Sequence, residues 1–318
     1  MRAVLGIDTS CYTTSAALAA DGRILGQKRR LLTVEQGERG LMQSEGVFQH
    51  VNRLPALIEA LMAEAGDVQI EAVCASTRPR PVDGSYMPVF TVGTGYARAL
   101  AAALHAPFLE TSHQEGHIRA ALVDTGLKPE GRFLALHLSG GTTEVVTVDA
   151  GAIALAGGSN DLHAGQFIDR VGVRLGLPFP AGPALETMAR RGNAEARLPI
   201  WVRGGVCSFS GSESAAQRMI DAGALSADDM AAEVFSSVAR TVAKMIVNAA
   251  HEREIHHVLL AGGVASSTLL RELVEKRVKK QDARVRLYWG RPELSGDNAC
   301  GVALIGWEEY IHGNDSER

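Results

Sequence analysis

The feature that most constrains the fold is a local pattern that occurs twice. Near the start of the chain, Ala3-Val4-Leu5-Gly6-Ile7 is a short apolar run ending in Asp8-Thr9-Ser10, which reads as a buried strand delivering polar groups at its tip. Thr13-Thr14-Ser15-Ala16-Ala17-Leu18, the turn signal Asp21-Gly22 and the stretch Ile24 to Leu32 read as an antiparallel pair that follows it. Roughly 130 residues further on, Phe133-Leu134-Ala135-Leu136-His137-Leu138 runs into Ser139-Gly140-Gly141-Thr142-Thr143, and Glu144 to Val148 returns as a strand with a turn near Ala150-Gly151. A strand, a polar tip and a returning hairpin repeated in this way describe a duplication of fold rather than of sequence.

The segments between and after the hairpins complete each half. Val47, Val51, Leu54, Ile58 and Leu61 recur at helical spacing, with Pro55 expected to kink or split that helix. Ala231 to Ala250 reads as a long amphipathic helix. Val258-Leu259-Leu260-Ala261 is a strand running into Gly262-Gly263-Val264, and a helix starts near Ser267. Val285-Leu287-Trp289 alternates as a strand, and Asp297-Asn298 opens a last helix ending near His312. The expected class is α/β, a two-lobed actin-like ATPase fold (ASKHA, with a ribonuclease H-like motif duplicated) and a cleft between lobes. The expected division is a first lobe over 1–120, onto which the helix 297–312 packs back, a second lobe over 121–296, and a tail over 313–318.

Composition limits the function classes. A chain of 318 residues that is 46% hydrophobic and 21% charged has enough apolar material for two lobes and is too balanced for disorder, collagen or coiled coil. A net charge of −4 argues against non-specific coating of nucleic acid, which needs a basic surface. Cys11, Cys74, Cys207 and Cys300 are far apart, with neither zinc-ribbon spacing nor a disulfide framework. With no signal peptide and no long apolar span, the expectation is a soluble protein of a reducing compartment, the cytoplasm.

The sharpest chemical signal is Ser112-His113-Gln114-Glu115-Gly116-His117. Positions i and i+4 share a helix face, so His113 and His117 can reach one divalent metal. Ser112 and Glu115 fit the S-x-x-E capping box, which makes Glu115 structural rather than a catalytic base. His137 stands two residues before Ser139 on the same side of its strand, and Asp297 opens a helix as either N-cap or ligand. Two histidines with a carboxylate suit zinc or iron, and a third histidine strengthens either. The glycine-rich tips Ser139-Gly140-Gly141 and Gly262-Gly263 let a nucleotide approach the backbone closely; each alone is also compatible with a plain tight turn. Lys276-Arg277-Val278-Lys279-Lys280 reads as a solvated helix face or an RNA contact, and the rigid basic loop Arg78-Pro79-Arg80-Pro81 as an anion-recognising loop or a turn.

These residues resemble, over nearly the whole chain, the TsaD family, the threonylcarbamoyl-adenosine synthase once described as an O-sialoglycoprotein endopeptidase (glycoprotease). Gly6-Ile7-Asp8-Thr9-Ser10-Cys11 resembles its GIETSC, His113 to His117 its HxEGH, and Ser139-Gly140-Gly141 its SGG tip. Ala164 to Asp169 is similar to AGEAFD, Pro180-Ala181-Gly182-Pro183 to YPGGP, and Cys207 to Gly211 to FSFSG; Ala261 to Val264 and Asp297-Asn298 complete the series. The resemblance implies an N(6)-L-threonylcarbamoyladenine synthase-like acyltransferase. Such an enzyme moves a threonylcarbamoyl group from an adenylate onto tRNA adenosine next to the anticodon. It implies one divalent metal, iron or zinc, on His113, His117, His137 and Asp297. Archaeal members place a tyrosine ligand where His137 stands. It also implies an adenine nucleotide, ATP or a carbamoyl-adenylate, held by His137, Leu138, Ser139, Gly140, Gly141, Asp169, Gly182, Gly262, Gly263 and Ser267. The implied partners are the adenylate, tRNA, and accessory subunits or a second copy of the chain, with no membrane.

The chain departs from the family pattern at several places. CDET becomes Cys11-Tyr12-Thr13-Thr14, losing both acids. The Gly-Pro-Gly loop becomes Arg78 to Tyr86, and ASRDH becomes Ser44 to His50 without the arginine. Ser267 replaces an asparagine, and Glu213 stands in place of a lysine. They point to a divergent paralogue. The alternatives are another carbamoyl or acyl acceptor, a non-catalytic binding paralogue, a sugar-kinase-like phosphotransferase, and a metallopeptidase. In the last, Glu115 would stand one position away from the base of HExxH.

Overall fold

The computed structural model describes residues 1–10, 12–33, 41–195 and 197–316; Cys11, which closes the opening motif, lies outside the described residues. In chain order the elements are β1 (Arg2–Thr9), β2 (Thr13–Ala20), β3 (Arg23–Leu31), α1 (Gln43–Ala65), β4 (Gln69–Arg78), α2 (Phe90–Leu104), β5 (Phe108–Ser112) and α3 (His113–Ala121). They continue with β6 (Phe133–Leu138), β7 (Thr143–Asp149), β8 (Ala152–Ser159), α4 (Ala164–Arg174), α5 (Gly182–Ala189), β9 (Trp201–Arg203), β10 (Val206–Ser208), α6 (Ser210–Asp221) and α7 (Ala227–Arg253). The last are β11 (His257–Ala261), α8 (Thr268–Gln281), β12 (Arg286–Trp289) and α9 (Cys300–Ser316). The chain divides into two compact units, Met1–Val123 with Gly296–Arg318, and Asp124–Ser295.

The first unit carries a five-stranded sheet in the order β3-β2-β1-β4-β5. β1 pairs antiparallel with β2, and β2 with β3, while β1-β4 and β4-β5 are parallel. The second unit repeats this order as β8-β7-β6-β11-β12 and extends it past β8 with β10 and β9. β6-β7-β8 is the antiparallel hairpin, and β11 joins β6 in parallel. The twofold strand–tip–hairpin pattern of the sequence is thus a duplicated sheet topology.

β1 is an unbroken apolar run because both of its faces are covered. Leu5 and Ile7 join Leu18, Leu54, Leu61, Val73 and Ala97 in one core cluster, while Val4 packs with Ala72, Cys74 and Val302 in another. The second unit is organised around α7, buried along most of its length against Leu134, Leu136, Phe167, Phe209 and Leu260. Neither core is mirrored by alternation in the central strands, as expected for sheets with helices on both sides.

Three expectations for helices change. α1 runs unbroken through Pro55; the proline cannot donate to the Val51 carbonyl, and the Tyr96 hydroxyl from α2 donates to it instead, at 3.3 Å. Its buried stripe is also turned from the one expected. Gly46, Gln49, His50, Leu54 and Leu61 face inward, while Val51 is 43% exposed. The turn follows from Gly46, where a Cβ would lie 2.9 Å from Val89, and from His50, which has polar partners inside. At the other end, α9 begins at Cys300, whose amide donates to the Asn298 side chain at 2.9 Å, and it continues past His312 to Ser316.

Candidate metal centre

β1 ends at Thr9, and its side chains alternate. The Thr9 hydroxyl points to α2, donating to the Val89 carbonyl at 2.9 Å and accepting from Gly93 N at 3.1 Å. Asp8 and Ser10, one position either side, meet α3 and the segment before α9 instead. The start of α3 is fixed by the capping box. Ser112 Oγ accepts from Glu115 N at 3.2 Å, and Glu115 Oε2 accepts from Ser112 N at 2.8 Å and from the Thr111 hydroxyl at 3.1 Å. Glu115 is therefore committed to the helix end, which removes it as the base of a peptidase. That cap makes His113 the first residue of α3 and sets His117 one turn on, on the same face.

Asp297 reaches them because α9 packs closely on both neighbours. A Cβ at Gly301 would run into the Gly116 carbonyl, and one at Gly6 into the backbone of Ala303. Asp297 was legible as either an N-cap or a ligand; among the described residues, its carboxylate accepts from no helix amide. Oδ1 lies 3.1 Å from His117 Nε2 and 3.6 Å from His113 Nε2, and Oδ2 accepts from the Ser10 hydroxyl at 2.9 Å. The two Nε2 atoms are 3.0 Å apart, and the rings meet nearly edge to face at a centroid distance of 4.3 Å. His113, His117 and Asp297 form a group whose ligand atoms all lie within 4.8 Å of one another.

This donor set fits a divalent cation. Two imidazole Nε2 atoms and a carboxylate oxygen are turned toward a common point. At most one proton can lie between the two nitrogens, so at least one of them presents a lone pair that a cation can take. Burial would lower the His113 pKa, but Asp8 and Asp297 outweigh it and hold it well above the ordinary histidine value. Burial would raise that of Asp297, and the hydrogen bonds and charge of the two histidines hold it well below the carboxylate range.

Reading the sequence did not single out Asp8, Ser10 and Ser76 as residues of this group. Asp8 is fully buried; its Oδ1 lies 3.0 Å from His113 Nδ1 and also accepts from the Ser76 hydroxyl of β4. For Asp8 and Ser10 the signals were the polar tip of the first strand and the opening family motif, and α/β folds gather ligands at such tips; Ser76 carried none.

In the second unit the glycine-rich segments come together. Gly165, in the first turn of α4, has no room for a Cβ, which would lie 2.7 Å from Gly140 Cα and from the Ser139 carbonyl. Gly262 has φ +102°, and a Cβ there would lie 2.7 Å from His137 Cδ2 and run into the Leu138 carbonyl. The tip is a closed turn: Ser139 N donates to Thr142 O at 2.8 Å, and Gly141 N to Ser139 Oγ at 3.3 Å. The Ser139 and Gly141 amides are thus used within the turn; among the described residues, the Gly140 amide has no protein partner, and Gly140 is exposed. Asp169 accepts from Ala181 N at 2.8 Å and from the Gly182 amide, while burial pushes its carboxyl up. Ser267 caps α8, its hydroxyl accepting from Leu270 N at 3.1 Å; Gly263 sits beside open space. Asp161, which the sequence reading passed over, accepts from Ser208 Oγ at 2.5 Å and from Phe209 N at 2.9 Å, fixing the Cys207–Gly211 motif.

The repeated β3-β2-β1-β4-β5 order and the histidine–carboxylate group define an actin-like ATPase fold carrying a candidate metal centre. A family model described as tRNA N6-adenosine threonylcarbamoyltransferase, TsaD, matches residues 35–304, and the chain belongs to that family. A tRNA N6-adenosine threonylcarbamoyltransferase of Thermus thermophilus is 33% identical over 322 residues, covering 98% of this chain and 94% of that protein. One of Archaeoglobus fulgidus is 27% identical over 312 residues, covering 98% and 93%. Among solved structures, component A of the (R)-2-hydroxyglutaryl-CoA dehydratase of Acidaminococcus fermentans aligns with a TM-score of 0.56 at 15% identity, over 98% of this chain and 100% of that one. A ROK family glucokinase of Streptomyces griseus aligns with a TM-score of 0.56 at 12% identity, over 96% and 99%. These two similarities concern the fold.

Proposed function

We propose that this protein transfers a threonylcarbamoyl group to N6 of an adenosine in tRNA, using a divalent metal held by His113, His117 and Asp297. The observation that carries the reading is the convergence of those three ligand atoms in a chain that matches transferases of this name along 94% of their length. The family resemblance also implies His137 as a ligand. A metal bound there supplies Lewis-acid charge to an oxygen of the donor.

The chain's own residues supply the rest. The donor in this reading is a carbamoyl-adenylate. The exposed Gly140 amide donates to one of its oxygens, and Gly165 and Gly262 keep the backbone around the Ser139 turn free of side chains. Asp169, Gly182, Gly263 and Ser267 line the nucleotide side. The adenosine amine attacks the carbamoyl carbon, the bond to the phosphate oxygen breaks, AMP leaves and the amine loses a proton. No helix among the described residues is long and apolar enough to cross a membrane. Cys74, Cys207 and Cys300 are buried free thiols, and we assign the activity to the cytoplasm, with accessory subunits or a second copy as partners.

The test is metal analysis of anaerobically purified protein, followed by incubation with unmodified tRNA, threonylcarbamoyl-adenylate and the accessory proteins of its host, with mass spectrometry of the digested nucleosides. The expected result is one equivalent of iron or zinc and threonylcarbamoyladenosine in the digest, both lost in His117→Ala, and metal weakened in His137→Ala. Metal-replete protein that leaves tRNA unmodified with every accessory protein present would refute the assignment.

A further inference from the structure

We infer that Asp8 is the positioning residue of the metal centre: its buried carboxylate takes the Nδ1 proton of His113 and so turns the Nε2 lone pair toward the point shared with His117 and Asp297. The inference rests on the reading of that group as a cation site, and it assigns the reason a carboxylate stands at the end of β1.

The geometry is that of a carboxylate–histidine–metal relay. Asp8 Oδ1 is 3.0 Å from His113 Nδ1, on the side of the ring opposite the Nε2 that meets His117 Nε2 at 3.0 Å. A neutral imidazole carries one proton. Held on Nδ1 by a carboxylate, that proton leaves Nε2 as a lone pair; on Nε2 it would occupy the place a cation needs. Asp8 cannot turn away to water, since it is fully buried. The Ser76 hydroxyl donates to the same Oδ1 and fixes its direction from the neighbouring strand. The ring itself is steadied by Phe90, at a centroid distance of 5.9 Å.

The second carboxylate oxygen supplies independent support. Asp8 Oδ2 is buried and, among the described residues, has no hydrogen-bond partner. A buried carboxylate with one bare oxygen is costly unless positive charge lies close by. A cation shared by His113, His117 and Asp297 would supply positive charge across the His113 ring from Asp8. Asp8 also sits one residue before Thr9, whose hydroxyl ties β1 to α2, so the strand end that aims the carboxylate is anchored.

Asp8→Asn removes the charge and lets the amide present either its oxygen or its NH2 to Nδ1, the latter forcing the ring proton onto Nε2. Outer-shell partners of this kind typically change metal affinity 10–100-fold. The experiment titrates cobalt(II) and zinc(II) into chelator-stripped wild type, Asp8→Asn, Ser76→Ala and His113→Ala, reading the cobalt visible bands, with circular dichroism and the melting temperature of each metal-free protein as fold controls. The expected outcome is one site in wild type, affinity reduced about 10–100-fold in Asp8→Asn with the metal-free fold retained, a smaller loss in Ser76→Ala, and no site in His113→Ala. Wild-type affinity in Asp8→Asn, with the site lost in His113→Ala, overturns the inference and leaves the metal reading standing. Absence of binding in wild type removes both. Should Asp8→Asn fail to fold, nitrogen-15 histidine spectra of zinc-loaded wild type decide: a proton on His113 Nδ1 upholds the inference, and coordination through Nδ1 ends it.

Discussion

The hydroxyl of Ser10 donates to Asp297 Oδ2 at 2.9 Å, joining residues 287 positions apart. Ser10 follows the first strand and Asp297 precedes the last helix, so the contact ties the two ends of the chain at the candidate metal centre. It also fixes which oxygen of Asp297 is left for His117, namely Oδ1 at 3.1 Å. Ser10→Ala frees that carboxylate to rotate, and metal affinity should fall by about tenfold, as for other outer-shell partners. Isothermal titration with zinc on chelator-stripped protein measures it; an unchanged affinity means Asp297 is oriented by something else.

The capping box separates structure from chemistry at Glu115. Ser112→Ala removes the cap of α3 and should cost about 1 kcal/mol in urea unfolding, with weaker metal binding because His113 is the residue that follows. Glu115→Gln keeps an acceptor for the Ser112 and Thr111 donors, so metal content and tRNA modification should stay within about twofold of wild type, a change worth under 0.5 kcal/mol. A peptidase using Glu115 as its base would be abolished by the same change.

His50 gives the first unit a pH dependence whose sign is set by burial. Its ring is fully buried, with Nε2 2.9 Å from the Ser10 carbonyl and Nδ1 2.8 Å from the Thr14 hydroxyl. The carbonyl can only accept, so Nε2 donates to it and Nδ1 accepts from the threonine. Burial lowers the pKa, against a smaller raising effect of the Ser10 carbonyl. The folded pKa therefore lies below the unfolded one, and the unfolded chain binds the extra proton. Stability should be full above about pH 6.5 and fall as the pH drops through that value toward the folded pKa. Denaturant unfolding at pH 7.5 and 5.5 should show wild type losing more than His50→Gln over that interval; parallel losses would place the titration elsewhere.

Gly262 tests the turn in the second unit. At φ +102°, with no space beside the Leu138 carbonyl, Gly262→Ala should cost roughly 1–3 kcal/mol and displace β6 at His137 and Ser139. Fluorescence titration with a labelled AMP analogue should show binding lost before the fold is. Retained binding at wild-type affinity would remove this turn from the nucleotide reading.

The parts of this protein that could be read from its sequence are those specified by neighbours in the chain. The two hairpins were legible because apolar runs, polar tips and turn residues follow one another directly. The His113–His117 pair and its capping box were legible because helical spacing alone places them. The buried stripe of α1 was misread at Val51 because Gly46 and His50, whose burial depends on Val89, Ser10 and Thr14, carry no apolar signal. Asp8 and Ser10 were legible as the polar tip of a strand but not as neighbours of the histidines, and Ser76 carried no signal.

By itself, then, the sequence determined the duplicated α/β plan, the paired histidines and the glycine-lined turns, since local spacing and backbone sterics act over a few residues. Only the tertiary structure decided that the Asp297 carboxylate faces His113 and His117 rather than capping a helix, and that Asp8 stands behind His113. Each of those roles depends on which buried partner a polar atom meets, and that is fixed by the packing of α9 on β1 and α3.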